Sequence, residues 1–143
     1  MTTKTAKIVK PSNSYQLELP NQICEQIDGR VSSFWLDGAP LLLQLSSYLR
    51  DQGTQMTARD RLNDRVKKHD VQWRKWKKKI HPDPSVDQAT AEFTDDKGLL
   101  WVHSYLVWSH LTVYSTISGP KDLVRDPDNW PVQSLKSLRL TTH

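Results

Sequence analysis

The chain has a single cysteine, Cys24, only five glycines in 143 residues, and no long apolar run. One cysteine excludes an intrachain disulfide and any cysteine-based metal cluster. A catalytic thiol would need a histidine partner that no local pattern supplies, so Cys24 reads as a small buried or half-buried residue. The few glycines form no phosphate-cradling loop, and there is no GxSxG. His69, His81, His103, His110 and His143 show neither HExxH nor HxxxH spacing. No metal or cofactor is therefore expected. Nothing approaches the roughly 18 apolar residues of a membrane-spanning helix, and the opening MTTKTAKIVKPSNS has no apolar h-region of a secretory signal. Together these absences point to the cytoplasm.

What is present fits one globular domain: 36% hydrophobic and 25% charged residues, with a net charge of +4. A mildly basic balance permits an acidic partner without requiring one. Residues 1–13 read as a flexible basic tail and 14–143 as a single domain. Ser14–Leu19 alternates and ends at Pro20, as a first or edge strand does. Residues 32–36 and 41–48 flank Asp37-Gly38-Ala39-Pro40 and predict a hairpin. Thr57-Ala58-Arg59-Asp60 nearly spells a capping box, and Ala58, Leu62, Val66 and His69 fall at helical spacing, predicting a helix over 57–69. Val71–Ile80 reads as a charged strand stopped by His81-Pro82-Asp83-Pro84, and 86–94 as another. Asp128-Asn129-Trp130-Pro131 starts a closing helix over 130–140.

Between them lies LLWVHSYLVWSHLTVYSTIS, residues 99–118, which splits into two strands at Ser109-His110. A two-residue loop there pairs Leu106 with Val113, Ser104 with Ser115 and Val102 with Ile117. A four-residue loop at 95–98 pairs Thr94 with Leu99 and Ala91 with Val102. Both registers put Ala89, Ala91, Phe93, Leu100, Val102, Leu106, Trp108, Val113 and Ile117 on a core face. The other face collects Glu92, Trp101, His103, Tyr105 and Tyr114, with Tyr105 opposite Tyr114. Such a face is a solvated wall, rich in rings because rings favour strands, a wall covered by the N-terminal tail or by the loop 119–129, or an association surface anchored by Trp and Tyr. An acid–base pair of His103 and Glu92 would also need a closed pocket.

Trp73-Arg74-Lys75-Trp76-Lys77-Lys78-Lys79 interleaves rings with cations. Arg74, Lys75, Lys77, Lys78 and Lys79 could follow a phosphate backbone while a Trp stacks on a base. As a strand, however, the segment divides its charges between two faces. Lysines on an exposed edge strand also guard against edge-to-edge aggregation.

The order of three early strands, a helix, an antiparallel run and a closing amphipathic helix resembles the PsbP/DcrB-like α/β family. The residues that carry the likeness are Y15QLELP20, L41LLQLSSY48 and W130PVQSLKSLRL140. That family includes photosystem extrinsic subunits, lipoproteins, binders of small GTPases and bacterial effector chaperones. The resemblance implies non-enzymatic protein binding and supplies no catalytic residue. The expectation is an α+β domain: one twisted antiparallel sheet of six to seven strands, with helices 57–69 and 130–140 on the same face. Its expected partner is another protein or a second copy of the chain, met by the aromatic face. Nucleic acid or a polyanion, met by 73–79, comes second, and a small-ligand or catalytic pocket around His103 and Glu92 third.

Overall fold

The computed structural model describes residues 6–49 and 56–141. Strand β1 (Ala6–Ser12) pairs antiparallel with β2 (Tyr15–Pro20), placing Lys7 opposite Leu19 and Val9 opposite Leu17. The stretch expected as the second half of a tail is thus a strand from Ala6 onward. Val9 packs on the core while both lysines stay exposed, and that one-sided pattern is easily taken for a basic tail. Residues 1–5 of the expected tail, and His143, lie outside the described residues.

The remaining strands are β3 (Cys24–Asp28), β4 (Val31–Trp35), β5 (Leu42–Leu49), β6 (Arg74–Lys75), β7 (Asp87–Thr94), β8 (Leu100–Val107), β9 (Leu111–Gly119) and β10 (Arg139–Leu140). They do not form one sheet. Seven make a large antiparallel sheet in the order β3-β4-β5-β9-β8-β7-β6, and a second sheet runs β1-β2-β10. The last strand exists because the closing helix, α3 (Trp130–Lys136), stops earlier than its apolar spacing suggests. Ser137 ends it, and its Oγ accepts from the Glu18 amide at 2.8 Å, so the chain turns and lays Arg139–Leu140 against β2. Its start is as predicted: Asn129 accepts from the Val132 amide at 2.7 Å.

Helix α1 (Ala58–Lys68) carries the capping box of Thr57 and Asp60. It lies over β7 and β8 on one face of the large sheet, where Ala58 and Leu62 pack with Ala91 and Tyr105. The small sheet, α2 (Lys121–Arg125) and α3 cover the opposite face, enclosing the main core of Leu17, Phe34, Leu43, Val102, Leu106 and Leu135. The helices expected on one face therefore sit on opposite faces, in three layers. Gly119 ends β9 at a close approach: a Cβ there would come within 2.8 Å of the Pro40 carbonyl oxygen.

The β8–β9 register is the predicted one, with Leu106 opposite Val113 and Tyr105 opposite Tyr114. The β7–β8 register is shifted by one residue: Thr94 pairs with Leu100 and Ala91 with His103. Asp95 is the physical cause. Its carboxylate accepts from the amides of Lys97 and Leu99, each at 2.9 Å, and from Trp101 Nε1 at 2.9 Å. The loop so wound takes in Leu99, with Gly98 at φ +83°. A one-residue shift exchanges the faces of a strand, so Ala89, Ala91 and Phe93 join the ring-bearing face and Glu92 leaves it.

The predicted strand 71–80 survives only as Arg74–Lys75. Beyond Trp76, whose amide still donates to the Thr90 carbonyl at 2.8 Å, the chain peels away. Ile80 drops into the core, and His81 Nε2 bonds the Leu138 carbonyl at 2.7 Å. The Gln88 side chain clasps the His81 backbone through both its N–H and its carbonyl.

Candidate functional site

The ring-bearing face is an interior surface where α1 covers it. Tyr105 and His103 are 6% and 8% exposed. Arg65 of α1 donates through Nε to the Tyr105 hydroxyl at 2.8 Å and lays its guanidinium over the Tyr114 ring, 4.1 Å from the centroid. Trp73 meets His103 edge-on at 4.9 Å. Trp101 stacks on Phe93 and is tied to Asp95, at the margin of this cluster. Burial first, then the Arg65 charge and His69, hold the His103 pKa down at about 4, so the ring is neutral. The Tyr114 hydroxyl then donates to His103 Nδ1, leaving Nε2 buried without a partner. Burial likewise raises the Tyr114 phenol above its ordinary value.

The sequence reading thus brought Trp101, His103, Tyr105 and Tyr114 together correctly. Glu92 does not belong with them. It lies 4% exposed on the opposite face, where it accepts from Trp76 Nε1 at 2.8 Å and from Arg125 at 3.1 Å, with Arg74 at 3.8 Å. No acid–base pair with His103 exists.

Glu92 instead forms part of the wall of a cleft of about 670 Å³ between the 74–80 segment and the turn joining α2 to α3. Its apolar lining comes from Trp76, Ile80, Val124, Pro127 and Val132. Leaving the strand brings Lys77, Lys78 and Lys79 together along one wall, so the expected division of charges between two faces ends at Trp76. Lys75 does divide as expected: its ammonium turns to Asn63 of α1 at 2.7 Å. The far wall adds Arg125 and Lys136, cations that the sequence reading missed. No local pattern signals them, because the meeting spans some fifty residues of chain and depends on where α3 packs.

Glu92 is committed to Arg125 and Arg74, and the carboxylate of Asp126 is the other acid in the lining. Among the described residues, none of Lys77, Lys78, Lys79 or Lys136 is within ion-pair distance of a carboxylate. The cleft therefore presents a surplus of positive charge around an apolar floor, the combination that takes an anion with an apolar part. Among the described residues no group of histidine, cysteine, aspartate and glutamate could hold a metal ion. No described helix is long and apolar enough to cross a membrane.

No protein-family model and no curated protein matches the sequence. Solved structures do match in shape. The solution structure of cyanobacterial PsbP (CyanoP) from Synechocystis sp. PCC 6803 superposes with a TM-score of 0.67 at 12% identity, over 98% of this chain and 95% of that one. A crystal structure from Bacteroides thetaiotaomicron gives a TM-score of 0.57 at 13% identity, over 90% of this chain. The chain spans about half, 46%, of that larger molecule. At such identities the likeness is one of fold, and the fold is PsbP-like.

Proposed function

We propose that this chain is a non-enzymatic binding module that takes an anionic partner into the cleft between residues 74–80 and the α2–α3 turn. One observation carries the reading: four lysines with no carboxylate partner among the described residues ring a pocket whose floor is apolar. Surface lysines ordinarily scatter over a solvated face, and here the backbone leaves the sheet to gather them. The buried carboxylate favours binding over chemistry, since its oxygens already serve Trp76, Arg74 and Arg125. The aromatic face is a weaker candidate for the partner, because α1 and Trp73 already occupy most of it.

The test is fluorescence anisotropy with a labelled acidic peptide at low and high salt. Binding should weaken steeply with salt and fall about tenfold or more in Lys77→Glu/Lys79→Glu, as each lost contact and added repulsion is worth on the order of 1 kcal/mol. Lys7→Glu/Lys10→Glu on β1 changes net charge equally and should leave binding almost intact. Equal losses in the two double variants would mean that net charge attracts the peptide, and the cleft would be discarded as the site.

A further inference from the structure

We infer that the occupant of this cleft is an acidic protein segment bearing one large apolar side chain, rather than a nucleic acid; this rests on the cleft being the binding site. The cations with no carboxylate partner among the described residues lie on both walls, Lys77, Lys78 and Lys79 on one and Lys136 on the other. A single head group engages one or two of them, whereas carboxylates spaced along a peptide reach several. Between the walls, the floor of Ile80, Val124 and Val132 offers no polar side chain to a ligand, and a cavity of about 670 Å³ has room for a large side chain with its flanking backbone. Filling it with Leu, Phe or Trp removes apolar surface from water on both partners.

A single-stranded nucleic acid needs a different site. Its sequence-tolerant grip comes from bases stacked on exposed rings beside a basic groove. Trp73 is withdrawn beneath α1, between Phe93 and His103. Trp76 does line the cleft, but it packs against the core and its indole N–H is held by Glu92, so the groove offers one ring where stacked bases need several. A peptide can bring its carboxylates to the lysine walls and its apolar group to the floor.

Four fluorescent probes of matched length decide the matter on the wild-type chain. The first is a Glu/Asp-rich peptide with a central Trp, and the second has Ser in its place. The third keeps the Trp but replaces the acids with Gln and Asn, and the fourth is oligothymidylate of equal charge. The first should bind most tightly. Loss of the Trp should weaken binding roughly ten- to hundredfold, the equivalent of burying one large side chain, and loss of the acids should abolish it. Equal binding of the Trp and Ser peptides, or oligothymidylate binding as tightly as the Trp peptide, overturns the inference while leaving an anion-binding cleft in place. If no probe binds, the cleft itself is not the site and both readings fall.

Discussion

The two faces of the large sheet put the same kinds of side chain to opposite uses. Under α1, rings and hydroxyls crowd a polar-looking surface that is closed: Arg65 bonds Tyr105, and Tyr114 bonds His103. On the other face, at the β6 edge, a run of plain lysines surrounds an open apolar floor. The feature most suggestive of recognition is largely packed beneath a helix, and the feature most suggestive of mere solubility borders the cleft. What separates them is whether another element covers them. An aromatic residue on a strand is equally good for either purpose, and only the position of a helix decides.

The comparison breaks most visibly at Tyr105. If the ring-bearing face is interior, Tyr105→Ala opens a cavity beneath α1 and strands the Arg65 guanidinium. It should cost about 3–4 kcal/mol of folding stability, read from urea denaturation. A free association surface predicts nearly unchanged stability with a lost partner or dimer, which size-exclusion chromatography with light scattering would detect. A loss under about 1 kcal/mol would return the aromatic face to the list of docking surfaces.

Acid tests the same face by a second route. His103 titrates near 6.5 when unfolded and at about 4 in the fold. Between those values the unfolded chain binds the extra proton, so stability from this group is complete above pH 6.5 and is lost as pH falls towards 4. The loss should be on the order of 3 kcal/mol. His103→Gln should flatten that part of the stability–pH curve, and an unchanged slope would show that another group carries it.

Much of this was legible in the sequence, and the failures share one origin. Ser109-His110 set the β8–β9 register because a two-residue loop leaves one pairing, with the Trp108 amide donating to the Leu111 carbonyl at 2.8 Å. Thr57 and Asn129 announced their helices by capping chemistry. The four-residue loop expected at 95–98 misled the β7–β8 register, and polarity along β7 offered no check because both of its faces are buried: Thr90 shares a hydrogen bond with Ser104 at 3.0 Å, and Glu92 is paired with arginine. With a side-chain partner available on either face, polarity does not choose the register, and the Asp95-wound loop does. The lysines of the cleft were visible as a run. The floor and the far wall were not, because Val124, Arg125 and Val132 reach the site only through the packing of α2 and α3.

Glu92 links the two faces, since the register shift carried it from one to the other, and its removal gives the finest test. Glu92→Gln keeps the shape and keeps an acceptor for Trp76 Nε1, but it loses the charge that holds Arg125. Because the Arg125 side chain is 49% exposed, water can take over part of that role, and the cost should be about 1 kcal/mol in urea. Binding should move the other way. Arg125 and Arg74 become available to a ligand, and the cleft loses one of its two acids, so an acidic peptide should bind several-fold more tightly. On the ring-bearing face the same substitution would have left affinity for that peptide untouched. A small fall in stability with a rise in affinity therefore places Glu92 at the cleft by function as well as by position, whereas a fall in both would make its role the positioning of Arg125.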